Sequence, residues 1–96
     1  MPGDIILDPM AGCGSIPIEG AIASQNQAYF IGSDIWAPAV RRQVQNVDYL
    51  NRVAKEIDDG VSTLMIDHTQ FDCTNLPLRN GSIDMVVTDL SRVSTF

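Results

Sequence analysis

The reactive potential of this 96-residue chain is concentrated in one glycine-rich turn and four aspartates. The turn is Asp8-Pro9-Met10-Ala11-Gly12-Cys13-Gly14, set between the apolar run Ile5-Ile6-Leu7 and a segment with helical spacing. Glycines at such a junction let the backbone approach a ligand closely, and the following helix offers its free N–H groups. Gly12-x-Gly14 opens a dinucleotide fingerprint, but the third glycine would fall at Pro17, which weakens an NAD reading. A tight turn that simply needs glycine is the plain alternative. Asp34 shifts the balance towards a ligand. It ends the next apolar run, twenty residues after Gly14, where an acid in a nucleotide-binding sheet bonds ribose hydroxyls. The alternative there is a solvated acid capping the next helix. Ile35 and Trp36 follow, beside the place an adenine would take.

Asp72 comes after the third apolar run and Asp89 directly after the fourth. The carboxyl ends of all strands in an open parallel sheet share one crevice, so Asp8, Asp34, Asp72 and Asp89 are expected on one rim. Four unpaired carboxylates repel one another and suit a cationic ligand. A diphosphate such as NAD fits poorly there; a sulfonium such as S-adenosylmethionine fits well. Other chemistry finds little support. Cys13, His68 and Cys73 lack any zinc spacing, so no metal is expected. Ser91 and Ser94 have no His-Asp arrangement for hydrolysis.

The elements that must hold these residues alternate strand and helix. Ile5-Ile6-Leu7 reads as a buried parallel strand, and Ser15 is the expected N-cap of a helix with Pro17 in its first turn, ending near Asn26. Tyr29 to Ser33 is a second strand finishing at Asp34. A longer helix starts near Pro38, its apolar face made by Val40, Val44, Val47, Leu50, Ala54 and Ile57, with Gly60 as the stop. Thr63 to Ile66 is a third strand and Ile83 to Thr88 a fourth, joined by about fifteen residues with little helical pattern. This order predicts an α/β sheet, mostly parallel, with right-handed crossovers. Nothing after the fourth strand covers its outer edge, so the chain is expected to be part of a larger sheet.

Composition excludes several classes. The chain carries 6 Lys+Arg against 12 Asp+Glu, a formal net charge of −6, and no basic residue before Arg41. Affinity for nucleic acid is dominated by cations on phosphates, so this chain alone should grip RNA or DNA poorly. No apolar run is long enough for a membrane span, and no basic-then-apolar leader opens the chain. Two cysteines sixty positions apart form no disulfide framework and point to a reducing compartment.

Asp8-Pro9-Met10-Ala11-Gly12-Cys13-Gly14-Ser15-Ile16-Pro17-Ile18-Glu19 resembles the first motif of the THUMP-domain tRNA guanine methyltransferases. Asn75-Leu76-Pro77-Leu78-Arg79-Asn80-Gly81-Ser82-Ile83-Asp84-Met85-Val86-Val87-Thr88-Asp89-Leu90 resembles the stretch leading into their catalytic motif. The resemblance implies the N-terminal half of a Rossmann-like, three-layer, S-adenosylmethionine-dependent methyltransferase domain over residues 1–90, followed by a divergent tail, 91–96. It implies that Asp8, Gly12 and Gly14 surround the methionine moiety, Asp34 the ribose and Asp72 the adenine, with Pro9 and Ile35 in the same cofactor-contacting set. Asp89 and Leu90 open the motif that presents the target amine. The family methylates the exocyclic amine of guanine in tRNA, its eukaryotic members working with a small zinc-binding activator subunit. The expected location is cytoplasmic, with the nucleus as the alternative.

Two positions depart from the family pattern. Ala11 stands where the family has Cys, with Cys13 two positions later. After Asp89-Leu90 the family continues Pro-Phe-Gly, whereas this chain reads Ser91-Arg92-Val93-Ser94-Thr95-Phe96. The proline that shapes that loop and the aromatic that stacks the base are both missing. The isolated chain is therefore expected to be inactive towards tRNA. A non-catalytic cofactor- or partner-binding module, and a methyltransferase acting on ribosomal RNA, are the alternatives.

Overall fold

The computed structural model describes residues 3–72, 74, 78 and 81–88. Strand β1 (Ile5–Asp8) leads through the glycine turn into helix α1 (Ser15–Ala23), then β2 (Tyr29–Asp34), α2 (Ala37–Ile57), β3 (Ile66–Gln70) and β4 (Met85–Val86). The strands form one sheet in the order β3-β2-β1-β4. Every pairing is parallel, with Ile6 opposite Phe30 and Met85, and Phe30 opposite Ile66. Both crossovers step in the same direction across the sheet, so right-handedness puts α1 and α2 on one face. The described residues thus form two layers of the three expected, and none of them covers the opposite face with a helix.

Ile6, Phe30 and Ile66 make one row across the three strands, and Ala21, Ala28 and Leu64 pack against it as the core. The row explains Gly20. A Cβ there would lie 2.5 Å from Phe30 Cε2 and 2.6 Å from Cζ, so only a hydrogen fits between α1 and the ring. At the far edge, β4 is tied to β1 by backbone bonds at both of its ends. Asp84 N–H donates to the Ile5 carbonyl and Val87 N–H to the Leu7 carbonyl. The Asp84 carboxylate also accepts the Ile5 N–H at 2.8 Å.

Several local expectations are corrected. Gly14, at φ 93°, is the cap of α1, and Ser15 is its first residue; the turn is too tight for a residue with a Cβ to adopt without strain. That helix stops at Ala23, because Gln25 and Asn26 take left-handed conformations at φ 55° and 60°. Helix α2 stops at Ile57, capped by the backbone of Asp58, three residues before Gly60. Its buried stripe is Ala39, Gln43 and Val47, while Val44 and Ile57 are exposed.

A further correction concerns β3, which lies at Ile66–Gln70 and not at Thr63 to Ile66. Asparagine side chains take the backbone of the expected strand. Asn51 Oδ1 accepts Leu64 N–H, Asn26 Oδ1 accepts Met65 N–H, and Asn26 Nδ2 donates to the Thr63 carbonyl. The ladder instead uses the polar run Ile66-Asp67-His68-Thr69-Gln70, which is tolerable on the outermost described strand, where Asp67 and Gln70 reach solvent. Strand β4 is likewise shorter than its apolar run. Among the described residues no helix is long and apolar enough to cross a membrane.

The Gly20→Ala variant sets a helix-propensity gain of about 1 kcal/mol against an overpacking cost of about 1–3 kcal/mol. The ring has no room to retreat, since Phe30 is buried in the core. The expected outcome is a lower urea midpoint; an unchanged or higher midpoint would show that the ring yields freely.

Candidate functional site

Strand β1 ends at Asp8 and the chain turns back above β2 before entering α1. Each peptide of that turn is held. Met10 N–H is accepted by Asp8 Oδ1 at 3.1 Å, and Ala11 N–H by the Ser33 carbonyl at 2.8 Å. Gly14 N–H closes the turn on the Ala11 carbonyl at 2.9 Å. Gly12, at φ 57°, is gripped through both of its polar backbone atoms. Its N–H donates to Asp34 Oδ2 and its carbonyl accepts from Gln43 Nε2, each at 3.0 Å. Asn46, one turn further along α2, donates to the Cys13 carbonyl at 3.0 Å.

Asp34 is therefore more than a ligand candidate at a strand end. One oxygen holds Gly12 and the other accepts Trp36 N–H at 3.0 Å, so a single side chain ties the turn after β1 to the start of α2. Each oxygen keeps acceptor capacity for a hydroxyl. Beyond it, Ile35 and Trp36 are exposed at 61% and 59%, an uncovered apolar pair of the size a purine ring would cover.

The expectation of an unpaired acidic rim needs correction. Asp8 is buried and accepts its own turn's N–H. Asp72 is exposed and accepts both the N–H and the hydroxyl of Thr74, which lowers its pKa below the ordinary carboxylate value. These donors engage the carboxylates without cancelling their charge. Asp34 at the end of β2 and Asp72 just beyond the neighbouring parallel strand β3 still make an acceptor set suited to hydroxyls and to a positive centre. A cationic adenosyl ligand fits that set: acids for its ribose and charge, an apolar pair for its base, and a fixed glycine turn for its tail.

Of the residues expected at the site, Asp8, Pro9, Gly12, Gly14, Asp34 and Ile35 gather around the turn and the end of β2. Asp72 lies two residues beyond β3 on the same end of the sheet. Asp89 and Leu90 lie outside the described residues, as does the tail 91–96. No group of three metal-ligating side chains occurs among the described residues. Sequence reasoning missed Gln43 and Asn46. The legible signal was their separation of three in a helix, which puts two amides on adjacent turns of one face.

A parallel sheet with a glycine turn between β1 and α1, clasped by an acid at the end of β2, defines a Rossmann-like α/β domain. Residues 1–91 match the UPF0020 family model, the RMKL-like methyltransferase domain. The chain belongs to that methyltransferase family. It is 45% identical over 91 residues to the tRNA (guanine(6)-N(2))-methyltransferase THUMP3 of Mus musculus, covering 93% of this chain and 18% of the relative. The Homo sapiens protein of the same name is 45% identical over 92 residues, again with 18% of the relative covered. The chain thus spans less than a fifth of the length of the curated relatives it matches.

The chain's one histidine supplies a pH test. Burial lowers the His68 pKa from its ordinary value of 6.5, partly opposed by the nearby Asp67 and Asp48 carboxylates. The unfolded imidazole then binds a proton more readily than the folded one. The stability associated with neutral His68 is complete above about pH 6.5 and is lost as the pH falls towards its folded pKa. Urea midpoints measured from pH 8 down to 5.5 should fall below 6.5, and His68→Gln should flatten that segment.

Proposed function

We propose that this chain is the cofactor-binding part of an S-adenosylmethionine-dependent methyltransferase whose substrate is the exocyclic amine of guanine in tRNA. The observation that carries the reading is the Asp34 clasp on Gly12, which fixes a glycine turn beside an acid and an exposed apolar pair at one end of a parallel sheet. The substrate half rests on the relatives' names and on the motif that ends in Asp89-Leu90.

In this reading Asp8, Pro9, Gly12 and Gly14 line the amino-acid end of the ligand. Asp34 accepts the ribose hydroxyls with the lone pairs that Gly12 and Trp36 leave open. Ile35 and Asp72 flank the adenine. Bound there, the cofactor supplies an electrophilic methyl on a sulfonium. A guanine amine is a weak nucleophile because its lone pair is delocalised into the ring. The Asp89 side chain and the Leu90 carbonyl accept its N–H bonds and localise that pair. They also fix an in-line approach, so orientation and preorganised polar groups provide the catalysis.

The partners in this reading are tRNA, held by regions other than this acidic chain, and a small zinc-binding activator subunit. The site of action is the cytoplasm or nucleus. A second reading is favoured by one observation. Ser91-Arg92-Val93 follows Asp89-Leu90 where the family has Pro-Phe-Gly, so the 96-residue chain itself acts as a non-catalytic cofactor- or partner-binding module.

Trp36, the only tryptophan, reports on the site. Titration with S-adenosylhomocysteine should quench its fluorescence saturably while NAD does not. Asp34→Ala should weaken the binding at least about tenfold, or about 1.4 kcal/mol. A folded protein that responds to neither ligand would overturn the cofactor reading. Methyl transfer to tRNA by the purified chain would overturn the non-catalytic reading.

A further inference from the structure

Gln43 is fully buried in the N-terminal third of α2, where an apolar side chain of similar length would pack at lower cost in polar desolvation. Two positions around it lack side chains to make room. A Cβ on Gly32 would lie 2.5 Å from Gln43 Oε1, and one on Gly14 3.1 Å from its Cγ. Its two polar ends are both engaged. Nε2 donates to the Gly12 carbonyl, and Oε1 meets His68 Nδ1, each at 3.0 Å.

The chemistry of these groups fixes every proton in the chain of contacts. The Gly12 carbonyl can only accept, so the NH2 end of the amide must face it. The amide oxygen then faces His68, and Nδ1 must carry a hydrogen. Neutral His68 is therefore the Nδ1–H tautomer, with Nε2 as the nitrogen that titrates. A trans peptide points its C=O and N–H in opposite directions. Holding the Gly12 carbonyl towards α2 consequently turns the Cys13 N–H away from it.

We propose that Gln43, oriented by His68 on β3, is a positioning residue of the cofactor turn, fixing the Gly12–Cys13 peptide plane. The proposal rests on the reading of this turn as the cofactor site. Asp34 and Gln43 then divide the work, one holding the N–H of Gly12 and the other its carbonyl. Gly32 is the position that admits the amide between helix and sheet.

The test uses the full chain, its Gln43→Met and Gln43→Glu variants, and S-adenosylhomocysteine as the probe. Imidazole 15N spectra of the unmodified chain should show the Nδ1–H tautomer; the Nε2–H tautomer would overturn the proposal without any variant. Gln43→Met, close in volume, without a donor and with only a weakly accepting sulfur, should shift the backbone amide signals of Gly12 to Gly14 and weaken binding about tenfold. Gln43→Glu keeps an acceptor for His68 but sets a carboxylate against the Gly12 carbonyl. It should raise the His68 pKa above its value in the unmodified chain and weaken binding at least as much. Unmodified chain that binds while both variants bind equally well would overturn the positioning role and leave the cofactor reading standing. A folded, unmodified chain that binds nothing overturns both together.

Discussion

The Asp34 carboxylate reaching back to the backbone N–H of Gly12 is the contact on which the site depends. It spans 22 residues of sequence and joins the turn after β1 to the end of the adjacent parallel strand β2. A hydrogen bond to a charged acceptor contributes about 1.5–3 kcal/mol, more than most neutral ones. Here it is reinforced from the helix side, where Gln43 and Asn46 hold the next two carbonyls. The N–H groups of Met10, Ala11, Gly12 and Gly14 and the carbonyls of Ala11, Gly12 and Cys13 are therefore all held. A loop with its glycines so held keeps one shape before any ligand arrives, and preorganisation of that kind lowers the entropic cost of binding.

Why this clasp forms follows from the packing beneath it. Ile6, Phe30 and Ile66 align across the sheet and fix the register of β1, β2 and β3. That register sets Asp8 level with Gly32 and leaves Asp34 two residues further out, level with Gln70. The two-residue overhang is what lets a short side chain reach over the turn. Gly20 and Gly32 keep α1 and α2 close to the sheet, the first against the Phe30 ring and the second against Gln43. Core and site thus share the same close approaches.

The sheet, its parallel sense and the gathering of Asp8, Gly12 and Asp34 at one end of it were legible because they are written in short-range signals. Apolar runs end at Asp8 and Asp34, and glycines mark the turn. The misplacements came from contacts distant in sequence. Thr63-Leu64-Met65 has strand character, yet Asn26 and Asn51 claim its backbone, and no local pattern reveals that. Val44 fits an apolar helical face, but Gln43 points inwards because two hydrogen-bond partners wait there, one on β3 and one in the turn. The idea of four unpaired acids failed for a similar reason. A carboxylate at or just past a strand end is as readily satisfied by the backbone N–H two residues on as by a ligand, and Asp8, Asp34 and Asp72 all do this.

Charge and length set the frame for activity. With a formal net charge of −6, the chain offers phosphates little to hold. The central claim is narrower: the turn after β1 and the end of β2 form an adenosyl-cofactor site. Backbone amide shifts recorded during addition of S-adenosylhomocysteine test it most directly. The account predicts saturable changes clustered on residues 9–15 and 34–36. Changes clustered instead on the apolar groove between α1 and α2, around Ile22, Ala54 and Ile57, or no changes in a folded sample, would contradict it.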